Sequence, residues 1–175
     1  MPGSLDGIRV IDFGQYVAGP LTGMLLADQG ADVVRVDPPG GPLWDTDANS
    51  VWNRGKRSLS LDLKRTIDLE RAQQLVDSAD VLVENFRPGV MEQLGLGPKT
   101  VFKSNPRLIY CSMPGFASDD PRSGIPGWEG IIDAAATTMR GPRHSEATTR
   151  PVYTAIPISS SYAAFQSAVS IAMAL

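Results

Sequence analysis

The sequence predicts an α/β fold, a parallel sheet with helices on both faces. Three observations predict it. The apolar runs IRVIDF, DVVRV, VLV and LIYCS are near-continuous rather than alternating, the pattern of strands covered on both sides. They alternate with stretches of helical periodicity, which gives strand–helix–strand units with right-handed crossovers. The 175 residues, 42% hydrophobic and 20% charged, are enough for one domain with a real core.

Each element has its own signal. Residues 8–13 read as the first strand. Leu21 to Gln29 reads as a helix entered through Gly19-Pro20, where proline fits, and closed by Gly30. Asp32 to Val36 is the second strand. Thr66 to Ser78 places Leu69, Ala72, Leu75 and Val76 on one helical face. Val81 to Val83 is another strand. Short helices follow at 88–94 and 98–103, each opened by a proline, and Leu108 to Ser112 is a further strand. A helix is expected around Glu129 and Asp133. Two long Gly/Pro-rich loops, 37–57 and 114–128, follow strands, where sheets of this class place ligand sites. Ala163 to Leu175 is an apolar helix in full stride, without glycine, basic last turn or proline. The sequence is therefore expected to be the first part of a longer chain.

Composition narrows the function. A net charge of -3 offers no surface for nucleic acid or an anionic membrane. One cysteine, Cys111, and one histidine, His144, leave no cysteine or His-pair metal site within the chain. The start lacks a secretory signal pattern and no apolar run reaches membrane-spanning length, so a cytoplasmic protein is expected. Cys111 sits mid-strand and reads as small core packing.

The motifs leave alternatives open. DFGQYVAGP after the first strand is not G-x-G-x-x-G, so a nicotinamide oxidoreductase is a weak reading despite Asp37 at the end of the second strand. Asn53 to Arg57 is a basic cluster, either a solvated turn or a phosphate clamp. VENFRPG ends a buried strand in an amide, a ring and a cation, which suits a nucleotide; an ordinary capped turn is the plain alternative. Glu129 and Asp133 lie four apart on one helical face. They are either an acid–base pair or a solvent face, and spacing alone favours the solvent face.

Four stretches then coincide in order: GIRVIDFGQYVAGPLTGMLLADQGADVVRVDPP, NRGKRSLSLDLK, ADVLVENFRPGVMEQLGLG and NPRLIYCSMPGF. Together they resemble the family III CoA-transferases, the group containing formyl-CoA and carnitine CoA-transferases and the 2-methylacyl-CoA racemases. The resemblance runs from about Gly7 to Leu175, and VENFRPG with KRSLSLDLK is its most specific part. It implies that residues 1–175 are the N-terminal part of a large CoA-binding domain, with a small domain and a chain return beyond Leu175. It also implies an interlocked homodimer, or a tandem pseudo-dimer. Coenzyme A or an acyl-CoA would enter as substrate together with a carboxylic acid, and no cofactor would be held covalently.

The resemblance places Ala18 near the CoA thiol end and Leu61, Asn85 and Phe86 around the adenosine. Arg35, Lys56, Arg57 and Arg87 are added as phosphate partners on charge alone. Gln93 and Pro38 stand where formyl-CoA transferase carries arginines. Glu129 matches a glutamate beside the active site, which implies a catalytic role at the reacting centre or next to it rather than a place on a solvent face. Trp128 replaces the histidine of the racemases, and an indole N–H cannot shuttle a proton. In the transferases an aspartate opens the last helix and attacks the thioester; counting back along that helix, Ser160 takes its place. Pro151 to Leu175 holds no Asp or Glu. A serine nucleophile needs a base, and His144 is the only histidine. Ser159 to Ser161 are therefore expected to cap the helix. Two readings follow: a CoA-transferase with Ser160 in the aspartate's place, or a non-catalytic CoA-binding half of a tandem or pseudo-dimeric enzyme.

Overall fold

A five-stranded, all-parallel sheet in the order β3-β2-β1-β4-β5 organises the molecule. The computed structural model describes residues 3–139, 153 and 155–175, so His144 lies outside the described residues. Its strands are β1 (Arg9–Asp12), β2 (Asp32–Asp37), β3 (Arg57–Ser60), β4 (Val81–Glu84) and β5 (Ile109–Ser112). Its helices are α1 (Ala18–Asp28), α2 (Asp47–Trp52), α3 (Thr66–Asp77), α4 (Val90–Gln93), α5 (Pro98–Ser104), α6 (Glu129–Ala135) and α7 (Ile158–Ala174). The predicted strands and helices all appear. Two further elements, α2 and β3, lie in and just after the first long loop.

Side chains alternate between the two faces of the sheet. Val10, Val33, Val81 and Val83 face Leu26 of α1 and Ile171 of α7. Ile11, Val34, Val36 and Leu82 face Ala72 and Val76 of α3, Met91 of α4 and Val101 of α5. Both faces are thus apolar, which is why the strands read as continuous runs. Helix α7 lies along α1, where Ala164 is buried against Leu21 and Met24. Cys111 packs against the α1–α7 side, and burial pushes its thiol pKa up. No described helix is long and apolar enough to cross a membrane.

The sheet grows outward from β1 and β4 in opposite directions, so the crevice beyond their carboxyl ends is a topological switch point. An ion pair is buried beside it. Lys56 Nζ donates to Asp12 Oδ2 at 2.7 Å, to the Pro20 carbonyl at 2.7 Å and to Asn53 Oδ1 at 3.0 Å. Both side chains are almost wholly out of water. Gly23 makes the room, since a Cβ there would sit 2.6 Å from Asp12 Oδ2 and 2.9 Å from Lys56 Nζ. Burial pushes the Lys56 ammonium below its ordinary pKa, with Asp12 opposing that shift.

Candidate active site

A cavity of about 820 Å³ opens at this switch point. Its floor is the turn after β1 and the turn after β4, stitched together by Asn85. Asn85 Oδ1 accepts the Gln15 N–H at 2.8 Å, and its Nδ2 donates to the Gln15 carbonyl at 2.8 Å. The neighbouring amides are also consumed internally: Phe13 N–H goes to the Val83 carbonyl and Gly14 N–H to Asp12 Oδ1. Gly14 and Gly19 press backbone to backbone, because a Cβ on Gly14 would fall 2.5 Å from Gly19 Cα. These glycines close a turn and leave none of these three amides for a pyrophosphate. Tyr16 holds a left-handed φ of 64°, a strained state for a ring-bearing residue at a cavity wall. Its ring meets Trp128 edge-on at 5.0 Å.

The far wall is the second long loop, drawn together at its base. Gly115 and Gly127 touch through their backbones, since a Cβ on Gly115 would lie 2.4 Å from Gly127 Cα. Between them the loop has its own contacts. Arg122 lies 4.7 Å over the Phe116 ring and pairs with Asp120 at 2.6 Å, which holds that carboxyl down at about 2.

The chemistry of the cavity gathers at the mouth of α7. Helix N-termini leave amide hydrogens without partners. Glu129, the first residue of α6, supplies the acceptor. Its Oε1 takes the Ser159 N–H at 2.6 Å, and its Oε2 takes the Ser160 N–H at 3.1 Å and a very short hydrogen bond from Ser160 Oγ. One turn further, Asp133 Oδ1 accepts Ser159 Oγ at 2.6 Å, and Asp133 Oδ2 is buried without a partner among the described residues. Two expectations are corrected here. The solvent face that spacing alone favours for Glu129 and Asp133 does not form; Asp133 is 1% exposed and both acids accept hydrogen bonds from α7. The serines do not cap their own helix, because they occupy its first turn and a carboxylate from α6 caps it instead.

The structure brings Ala18, Asn85, Phe86, Arg87, Glu129 and Ser160 to this one cavity. It places the remaining expected binding residues elsewhere. Leu61 is buried in the core between the sheet and α3. Arg35 is buried against Asp37, Lys56 is the buried partner of Asp12, and Arg57 makes a bidentate pair with Asp32 on the outside of the sheet. The Arg57 guanidinium holds the Asp32 carboxyl below its usual range. Each of these three cations is thus paired with an anion of the chain itself. Arg87 is exposed at the cavity edge and forms no ion pair among the described residues. Trp44, Tyr16 and Tyr153 line the cavity without having been foreseen. The two long loops carry the signal for Trp44 and for the Gly115–Gly127 wall.

A family model described as CoA-transferase family III matches residues 5–175. The chain belongs to that family. Among curated relatives, this family III chain is 44% identical over 174 residues to the CoA-transferase/lyase DddD of Marinomonas sp. (strain MWYL1), covering 98% of the chain and 21% of that protein. It is 48% identical over 136 residues to the succinyl-CoA:mesaconate CoA-transferase of Haloarcula hispanica, covering 70% of the chain and 34% of that protein. The crystal structure of a CAIB/BAIF family protein from Brucella suis superposes with a TM-score of 0.90 at 30% identity, covering 99% of this chain and 49% of that one. The chain spans a fifth to a third of those curated relatives and about half of that structure.

Proposed function

We propose that this family III domain binds an acyl-CoA with its thioester at the mouth of α7, and that the whole protein transfers CoA between an acyl-CoA and a carboxylic acid. The supporting observation is the cavity itself. It joins Arg87, suited to a phosphate, the ring of Phe86, suited to a base, and the Glu129–Ser160 pair, suited to a thioester. Its size is ordinary for a small-molecule site and its walls are mostly apolar, as a pantetheine arm requires. Ser160 stands in the place of the family aspartate. An interlocked dimer or a tandem pseudo-dimer would supply the rest of the enclosure.

The test mixes the full-length protein with a panel of acyl-CoAs and isotope-labelled free CoA, and follows label in the acyl-CoA pool by mass spectrometry. Exchange is expected, because transfer through an acyl-enzyme makes the first half-reaction reversible. A second reading is favoured by the absence of an acid at position 160 and by the small share of the Marinomonas relative that this chain spans. In it this domain is the non-catalytic CoA-binding half of a tandem enzyme. Exchange undiminished when both Ser160→Ala and Glu129→Gln are introduced would select that reading, and absence of both exchange and CoA binding would overturn the two together.

A further inference from the structure

We propose that Glu129 is the carboxylate that carries the acyl group and then CoA, doing from α6 what an acid at position 160 would do from α7. The inference rests on the CoA-transfer reading and assigns its missing nucleophile.

Chemistry sets the requirement. Passing CoA from one carboxylic acid to another needs an acceptor whose acyl derivative is about as activated as a thioester. A carboxylate meets it, since its acyl derivative is an anhydride. A serine ester is too stable for thiolate to reopen readily. Among the described residues, the cavity lining contains one carboxylate, that of Glu129, and no cysteine, histidine or lysine. Asp133 is sealed behind Ser159 and does not line it.

Position supports the same residue. Glu129 reaches to within hydrogen-bond contact of the Ser160 side chain and of the Ser159 and Ser160 amides. Its carboxylate thus stands beside the spot that a side chain from position 160 would fill. A second acid there would set two like charges in contact, which disfavours ionising both. Serine removes that conflict and contributes a donor. The three donors hold the carboxylate while it is charged. When Glu129 is acylated it loses its charge, and the same N–H and O–H groups become available to an oxyanion on the adjacent carbonyl. Asp133, by fixing Ser159, keeps the mouth of α7 in place while this happens.

The steps balance without proton or electron donors. A Glu129 carboxylate oxygen attacks the thioester carbonyl; the C–S bond breaks, CoA leaves as thiolate and a mixed anhydride forms. The thiolate attacks Glu129 Cδ; the anhydride C–O bond breaks, the donor acid leaves as carboxylate and a glutamyl-CoA thioester remains. An acceptor carboxylate attacks Cδ and expels the thiolate. The thiolate then attacks the acceptor's acyl carbon, forms the new acyl-CoA and restores Glu129.

The test uses the full-length protein with acetyl-, propionyl- and succinyl-CoA, quenched with hydroxylamine and mapped by peptide mass spectrometry. A hydroxamate at Glu129 is expected. Glu129→Gln should abolish both the adduct and label exchange while CoA binding persists, and that binding checks that the cavity is intact. Ser160→Ala should still form the adduct, more slowly. A hydroxamate at another acid, or full exchange in Glu129→Gln, would overturn the assignment and leave the CoA-transfer reading standing. No exchange by the unmodified protein with any of the three would overturn both.

Discussion

At the scale of single residues, the two cations nearest the site have opposite jobs. Arg87 is open to solvent at the cavity edge, so its charge is available to a ligand. Arg87→Ala should weaken CoA binding about tenfold, the loss of one charged hydrogen bond of roughly 1.5 kcal/mol. Added salt should weaken the unmodified protein's CoA binding more than that of the variant, as titration calorimetry at two ionic strengths would register. Lys56 has no such freedom, because all three of its donors are taken. Lys56→Met strands Asp12 as a buried charge and should cost about 3–5 kcal/mol in urea unfolding. Replacing both partners by apolar residues of similar volume should recover most of that loss. The cluster Asn53 to Arg57 was legible as charge. Its destination was not, because Asp12 lies 44 positions away and no local pattern announces the pairing.

At the scale of elements, burial explains what the sequence revealed. Strands β1, β2 and β4 read plainly because both of their faces are covered by helices. Strand β3 is an edge strand with all four residues exposed, so it lacks the apolar run that marked the others. The alternation of Leu59, Leu61 and Leu63 was its available signal, with Leu61 and Leu63 reaching the core. Helix α2 was hidden inside a Gly/Pro-rich loop. The spacing of Glu129 and Asp133 was visible too, but which way that face points depends on α7, which lies far along the chain. Strand β4 carries a testable charge. Glu84, at its end, is buried and accepts the Phe86 N–H at 2.8 Å. Burial raises its pKa above the ordinary 4.5, and hydrogen bonds from Ser112 and Phe86 only partly offset this. The folded state therefore holds this proton more tightly than the unfolded chain. The stability Glu84 lends is complete below pH 4.5 and is lost as pH rises through the folded pKa. Glu84→Gln keeps an acceptor for Phe86 and removes that loss. Its urea midpoint should match the unmodified protein's at low pH and exceed it at pH 7, and equal midpoints at both would contradict the burial argument.

At the scale of the whole molecule, α7 is apolar on both sides. One side, with Ala164 and Ile171, is packed inward. The other shows Tyr162, Phe165, Val169 and Met173, exposed by 55% to 82% at helical spacing. Helices apolar all round are normally buried, and a stripe of this kind marks an interaction surface. The 175-residue chain should self-associate with rising concentration in sedimentation velocity. Phe165→Glu with Met173→Glu should shift it toward monomer without lowering its melting temperature. A monomer at all concentrations would count against α7 as a contact face.

The meeting of Gly115 and Gly127 has a different consequence. A loop pinched shut at its neck behaves like a drawstring bag, whose contents can change while its mouth keeps its shape. Phe116, Asp120 and Arg122 hold one another inside it, and the cavity touches only the neck and its flanks. The interior is thus a cassette, open to lengthening or reshuffling without moving Glu129. The neck is not, because a single methyl group on either glycine would force it apart.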